Sequence, residues 1–347
     1  MTATRSIPFS ILSPGIAAIR AEVDAALARV LDRGWFILGP EVEAFERAFA
    51  DYHDAGFDAV GVGSGTDALR IALQALGIGP GDEVLVVANA GVPPVAAIVA
   101  AGARPIFCEV DCTTQTLDPA EIGRRASAAT RAVLVVHLYG AMAAMKEIAA
   151  AAGERGLALI EDCAQAHGAS SDGRRAGTWS DVSAFSFYPT KNLGALGDAG
   201  MILTARPELA ARARLLRNYG WREQYFSELH STHSRLDDLQ AAVLQAKLPL
   251  LDGWNTRRRE LAGMYRQALG GIDDLILPQQ TGTDHVHHLF VVRASRRDEL
   301  REFLRRRGVS TAIHYPLPAH LQPAYAGLGA GRGSLPRTEQ LAQAVLS

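Results

Sequence analysis

Ser183-Ala-Phe-Ser-Phe-Tyr-Pro-Thr-Lys-Asn-Leu-Gly-Ala-Leu-Gly-Asp-Ala-Gly-Met201 is the stretch from which the rest of the chain can be read. The run from Val182 to Tyr188 alternates as a strand does and stops at Pro189, which has no N–H to give a sheet ladder. Lys191 follows at once in a Gly-rich loop, and Met201-Ile-Leu203 resumes the sheet. A lysine in a tight, glycine-packed turn at a strand end is poorly solvated and well placed to form an imine with an aldehyde. Only three of the 35 Lys and Arg residues are lysines: Lys146, Lys191 and Lys247. Lys146 and Lys247 fall in helical patterns where a solvated face accounts for them. Lys191 asks for a chemical role.

The chain around this stretch is 347 residues long, beyond the size at which single cores stop growing, so two domains are expected. Apolar content of 48% with 21% charged residues is that of a soluble globular protein. A formal net charge of −2 offers no field for nucleic acid or an anionic membrane. The clusters Arg257-Arg258-Arg259 and Arg305-Arg306-Arg307 are mixed with acids and read as solvated helix faces. Cys108, Cys112 and Cys163 are too few and too irregular for a disulfide framework or a zinc site, and no metal is expected. The N-terminal residues lack the apolar core of a signal peptide, and the most apolar region, Val84 to Phe107, is broken by Asn89, Pro93 and Pro94. A reduced, cytoplasmic protein is expected.

Upstream, helical spacing covers residues 16 to 32 and Glu41 to Tyr52, joined by the apolar elbow Trp35 to Pro40. Val60-Gly-Val-Gly-Ser-Gly-Thr-Asp-Ala-Leu69 then turns a short strand through glycines into a helix that Ser64 can cap. Gly65 and Thr66 leave backbone N–H groups at that helix start, which suits a phosphate or simply a capped helix. The glycine spacing is neither a dinucleotide fingerprint nor a Walker loop. Strands at 82–87, 105–110, 132–136 and 157–160 alternate with helices at 95–101 and 143–155. This is the pattern of an α/β fold with a mostly parallel sheet covered on both faces, which binds ligands beyond the carboxyl ends of its strands. Gly65, Thr66, Asp162 and Lys191 all fall at such ends. Helices follow at 208–217 and 237–250, and a long helix runs to Leu269. A strand at 289–292, a charged helix at 298–307 and a strand at 310–314 make a small C-terminal α+β domain. The division is 1–253 and 254–347.

Glu161-Asp162-Cys-Ala-Gln165 sits where a buried strand ends. Glu161 reads as a cap for the next turn. Asp162 gains a use if a pyridine ring lies beside it, because a carboxylate keeps a ring nitrogen protonated and the ring electron-accepting. Ring partner, phosphate anchor and imine-forming amine are the set that pyridoxal 5'-phosphate (PLP) requires.

These segments, with Gly102-Ala-Arg-Pro-Ile-Phe107, Asn218-Tyr-Gly220, Ser234-Arg-Leu-Asp-Asp-Leu-Gln-Ala-Ala242 and Ile313-His-Tyr-Pro316, resemble the DegT/DnrJ/EryC1/StrS family of nucleotide-sugar aminotransferases. The motifs span nearly the whole chain in the family's order. The resemblance implies PLP fold type I, the aspartate aminotransferase-like arrangement. Lys191 would be the Schiff-base amine and proton shuttle, and Asp162 the partner of the pyridine nitrogen. Gln165 would hold the ring hydroxyl, and Gly65, Thr66 and Ser186 the phosphate. A homodimer with shared active sites is implied, the partner subunit supplying an Asn at the position that is His233 here. Arg235, His314 and Tyr315 match positions that contact nucleotide-sugars in relatives. The implied reaction takes an amino group from L-glutamate to a nucleotide-linked keto-sugar, with pyridoxamine phosphate between the half-reactions. Asn218-Tyr-Gly-Trp-Arg222 and His314 to His320 look more like relatives acting at C3 than at C4.

Three features depart from the family: His233 itself, the absence of an aromatic residue in Ala90-Gly-Val-Pro-Pro94, and an end at Ser347 where relatives run on. The last creates the expectation of a small domain cut short and packed more weakly. Two alternatives are the family's sugar dehydratases, which carry histidine in place of Lys191, and a PLP-binding regulator without turnover. An NAD oxidoreductase fails on the missing fingerprint.

Overall fold

Residues 6–279 and 282–347 are described by the computed structural model, and a seven-stranded sheet forms its centre. Its strands are β1 (Asp58–Val62), β2 (Glu83–Val87), β3 (Arg104–Cys108), β4 (Thr130–Val136), β5 (Ala158–Asp162), β6 (Val182–Ser186) and β7 (Gly200–Thr204). Their spatial order is β1-β7-β6-β5-β4-β2-β3. Neighbours from β6 to β3 run parallel, whereas β7 is antiparallel to both β6 and β1. Parallel neighbours need a crossover of a dozen or more residues, usually a helix. Between β6 and β7 the chain makes the Lys191 loop instead, so β7 returns beside β6 with Ser186 opposite Gly200. β2 is buried at every position, as expected of a strand covered on both faces.

Alternation along β6 sends its side chains to two different tasks. Ser183, Phe185 and Phe187 are fully buried on one face. Phe185 and Phe187 meet Phe49 edge-to-face at ring-centroid distances of 5.0 and 5.4 Å. Such pairs are worth about 0.5–1.5 kcal/mol each beyond the area they bury, and they fix helix Pro40–His53 to the sheet. The opposite face carries Ser186 toward helix Gly65–Ala75. The strand's own periodicity therefore sets one site residue.

The C-terminal part begins with helix Leu251–Leu269, which is unbroken through residue 253. It continues into an antiparallel sheet of β8 (Leu275–Ile276), β9 (Val292–Ala294) and β10 (Val345–Leu346). The expected strand at 289–292 thus lies later in the chain, and the one at 310–314 is absent. Residues 310–314 are extended but bonded at isolated points: Ser310 N–H donates to Ile7 O, and Ala312 exchanges two bonds with Ser347. The third strand is β10, whose Val345 and Leu346 are each only 2% exposed.

Two solvated-face readings fail. Lys247 is buried at the end of helix Asp238–Lys247, and its ammonium donates to Gly194 O at 2.5 Å. Arg258 reaches inward to the carbonyls of His287 (3.1 Å) and His288 (3.4 Å). Arg257, Arg305 and Arg306 do pair with neighbouring acids at the surface. No helix among the described residues is long and apolar enough to cross a membrane.

Candidate active site

The carboxyl ends of β5 and β6 meet the start of helix Gly65–Ala75, and the predicted residues collect there. Asp162 closes β5, is 5% exposed, and accepts the Ala164 N–H on Oδ1 at 3.0 Å. Burial pushes its carboxyl above the usual range, while Ala164 N–H, Lys191 and His137 pull the other way. Lys191 is held by a turn in which its N–H donates to Tyr188 O at 2.8 Å. Burial lowers its amine below the ordinary lysine range, with Asp162 opposing. The two groups feel each other's charge without forming a close ion pair. Helix Asp238–Lys247 braces the loop from behind, through Lys247 on Gly194 O and Gln240 Oε1 on Leu196 N–H.

Ser64 caps helix Gly65–Ala75 by accepting the Asp67 N–H at 3.1 Å. The N–H groups of Gly65 and Thr66 lie ahead of any intrahelical acceptor, and Thr66 is exposed. Gly65 lies so near Ser186 that a Cβ on it would come 2.5 Å from the serine Cβ. One Ser hydroxyl and two free N–H groups at a helix start make a cradle for a phosphate dianion. Beside it is a cavity of about 450 Å³ lined by Gly63, Ser64, Asp67, Asp198 and the segment His233-Ser-Arg235. In the single chain Ser234 Oγ accepts the Gly63 N–H at 2.9 Å. His233 is exposed and shares a 2.9 Å hydrogen bond with Tyr219 Oη, and Arg235 donates to Asn218 Oδ1 at 3.2 Å. A larger cavity of about 680 Å³ lies near Tyr52, Arg174, Arg175 and Trp179 and contains none of the predicted site residues.

Gln165 joins three segments. Its Oε1 accepts the Tyr139 N–H, and its Nε2 donates to Tyr315 Oη at 3.4 Å. Tyr139 Oη in turn donates to His314 O. His314 Nδ1 lies 2.9 Å from Ser347 Oγ, and its ring stacks on Phe9 at 5.6 Å. The Tyr315 ring rests against Gly91, whose added Cβ would meet it at 3.1 Å. The missing aromatic in Ala90-Gly-Val-Pro-Pro94 is thus matched by one entering from the C-terminal part. Tyr139 was not readable from spacing, since it lies 26 residues from Gln165 and 175 from His314.

Glu161 is structural, as its position suggested. It is fully buried and accepts from Gly177 N–H (2.7 Å), Trp179 N–H (2.9 Å) and His137 Nε2 (3.0 Å). Burial favours its neutral form, but His137 and these N–H groups outweigh it and lower the pKa. His137 Nδ1 accepts the Ala143 N–H at 3.1 Å, so its lone pair is taken. His137 and Glu161, which lie in a buried cluster with Cys163, are therefore committed to holding turns together.

PLP fits this donor set. Asp162 Oδ2 and the Lys191 amine meet no hydrogen-bonding partner among the described residues, and each lies close enough to feel the other's charge. Asp162 and Lys191 would hold the ring and the aldehyde carbon, with Gly65, Thr66 and Ser186 on the phosphate.

Comparison with known proteins agrees. The sequence model of the DegT/DnrJ/EryC1/StrS aminotransferase family matches residues 17–347. The dTDP-3-amino-3,4,6-trideoxy-alpha-D-glucose transaminase of Streptomyces venezuelae is 51% identical over 345 residues, spanning 99% of this chain and 91% of the relative. The erythromycin biosynthesis sensory transduction protein EryC1 of Saccharopolyspora erythraea is 48% identical, spanning 98% of this chain and 93% of the relative. The crystal structure of S. venezuelae DesV in complex with a ketimine intermediate superposes with a TM-score of 0.96 at 51% identity, covering 99% and 93% of the two chains.

Proposed function

This chain belongs to the DegT/DnrJ/EryC1/StrS aminotransferase family, and from that premise we propose that it transfers the amino group of L-glutamate to C3 of a nucleotide-linked keto-sugar. The observation that carries the reading is Lys191: a half-buried amine with a lowered pKa, within reach of Asp162's charge, in the loop after β6. A histidine there would suit the family's dehydratases; a lysine suits transamination.

When bound, PLP supplies an aldehyde that condenses with amines and a ring that accepts electrons. The protein's residues do the rest. Lys191, whose amine burial shifts toward the neutral form, would hold the aldehyde carbon and is positioned to carry a proton to and from the substrate carbon. Asp162 would keep the ring nitrogen protonated, an ion pair that would relieve the cost of burying its carboxylate. The start of helix Gly65–Ala75 would anchor the phosphate. In the first half-reaction glutamate would give up its amino group, take up one water and leave as 2-oxoglutarate; in the second the sugar ketone would receive that amine and one water would be released. Arg235, His314 and Tyr315 are proposed to contact the nucleotide-sugar.

We further propose a homodimer in which His233 of one protomer completes the phosphate site of the other. Its support is the exposure of His233 beside the helix-start cavity. Cytoplasmic residence is supported by three cysteines that form no disulfide. A regulator without turnover, suggested by the name of the EryC1 relative, is the second reading.

Purified holoprotein should absorb as an imine that borohydride fixes to Lys191. Adding L-glutamate alone should bleach it and release 2-oxoglutarate. Binding without that product would favour the regulator, and a reducible imine in Lys191→Ala would sink the assignment.

A further inference from the structure

The residue after Lys191 has a side chain whose orientation is dictated by its neighbours. Asn192 Nδ2 lies 3.2 Å from Val286 O and 2.9 Å from Asn255 Oδ1. A backbone carbonyl only accepts, so that side of the amide must be the NH₂ group. Asn255 agrees, because its own Nδ2 donates to His167 O at 2.8 Å and leaves its Oδ1 toward Asn192. Asn192 Oδ1 can then only accept, and the group 3.2 Å from it is Nδ1 of His288. The proton of His288 therefore sits on Nδ1.

The ring is neutral, because burial disfavours its cation and so do Lys191, Arg258, His167 and His314 around it. A neutral imidazole protonated on Nδ1 presents a lone pair on Nε2. That nitrogen has no hydrogen-bond partner among the described residues, yet it is not enclosed as both nitrogens of His167 are. Arg258 pins the segment by donating to the carbonyls of His287 and His288. An immobilised acceptor is thus left open beside the catalytic lysine, and PLP transfer of an amine gives it no task.

We propose that His288 is a substrate-binding residue whose Nε2 accepts a hydrogen bond from the sugar hydroxyl next to the carbon being aminated. This rests on the keto-sugar reading above. Its chemical consequence is selection for an equivalently placed hydroxyl, since a sugar lacking it would leave a desolvated acceptor unpaired.

The test separates the two half-reactions of the holoenzyme by single-turnover absorbance. One probe is L-glutamate; the other is dTDP-3-amino-3,4,6-trideoxy-α-D-glucose run in reverse, whose hydroxyl neighbour is at C2. His288→Asn keeps a δ-nitrogen for Asn192 Oδ1 and removes Nε2, whereas His288→Gln keeps an acceptor near the Nε2 position. We expect His288→Asn to lower the sugar half-reaction about tenfold more than the glutamate half-reaction, mainly in KM, and His288→Gln to recover part of the loss. ¹⁵N resonances of labelled histidine should report the Nδ1–H tautomer. Equal losses in both half-reactions, no difference between Asn and Gln, or an Nε2–H tautomer would each overturn the proposal. A wild-type enzyme that exchanges with glutamate but with no nucleotide-linked amino-sugar would instead overturn the keto-sugar reading beneath it.

Discussion

Asp162 and Lys191 stand at the ends of neighbouring parallel strands, each strained by burial and each partly relieved by the other's charge. The carboxyl pKa is raised and the amine pKa lowered, so Asp162 resists the carboxylate form that a protonated ring nitrogen needs, whereas Lys191 is shifted toward the neutral amine that an aldehyde needs. For Asp162 the folded pKa exceeds the unfolded one. Its contribution to stability is therefore present at low pH and is lost as pH rises through the folded pKa. At neutral pH the unliganded protein carries this cost.

It follows that Asp162→Asn should make the PLP-free protein slightly more stable at pH 7–8 while crippling the enzyme. We expect a Tm gain of about 2 °C per kcal/mol of relief and a loss in kcat of about 100-fold or more. Calorimetry with and without PLP checks the stability, since the stabilisation by cofactor should shrink in the variant, and a turnover assay checks the rate. The Tm gain should vanish on acidification, when the wild-type carboxyl is protonated too.

The Lys191 amine gives a second pH dependence of opposite form. Its folded pKa lies below that of a free lysine, so the neutral amine is populated at lower pH than in a model peptide. The rate at which PLP-free protein captures PLP should rise with pH and level off below the ordinary lysine value near 10.4. Stopped-flow absorbance measures this. A profile still climbing beyond that value would mean the lysine is solvated.

Gly65→Ala tests the phosphate cradle by sterics alone. The new methyl would lie 2.5 Å from Ser186 Cβ and 3.0 Å from its Cα, so backbone must move. A loss of about 1–3 kcal/mol in stability is expected, with weaker PLP binding by equilibrium dialysis. Gly63→Ala meets the Ser234 hydroxyl at 3.1 Å and the Arg235 backbone only at ordinary contact distances of 3.5 and 3.8 Å, and should be milder.

The large sheet was legible because its strands are buried on both faces, so hydrophobic runs such as Glu83–Val87 mark them without tertiary knowledge. Asp162 and Lys191 were legible because each follows such a run within a few residues, whereas Gln165 came from the family resemblance. The small sheet was not, because β9 and β10 are short and half their register is set by a partner about 50 residues away, as in Val292 opposite Leu346. Longer-range groups escaped for the same reason. Asn192 meets Asn255 across 63 residues and His288 across 96, and no spacing rule connects them. The run His285-Val-His-His288, three of ten histidines in four residues, was the available signal. Lys247 was misread because a helical pattern shows which residues share a face, not which face a later loop will cover.

Lys247 offers the last prediction, and the two lysines can be separated by it. Its ammonium is buried, has no carboxylate partner among the described residues, and donates to Gly194 O within the loop that carries Lys191. Replacing it by methionine removes one hydrogen bond, worth about 1.5–3 kcal/mol for a charged donor. It also removes the penalty of burying a charge, which works in the opposite direction. The two should nearly cancel, leaving Tm within a few degrees of wild type. The loop, however, loses its brace at Gly194 and keeps the Gln240 contact to Leu196 and the Asn192 bonds to Asn255 and Val286 O. We therefore expect Lys247→Met to retain the fold and the borohydride-reducible imine at Lys191 but to lower kcat several-fold, with Lys247→Arg unable to restore it because the guanidinium is larger than the space. A kcat unchanged in Lys247→Met would show that the loop is held by its own turns alone.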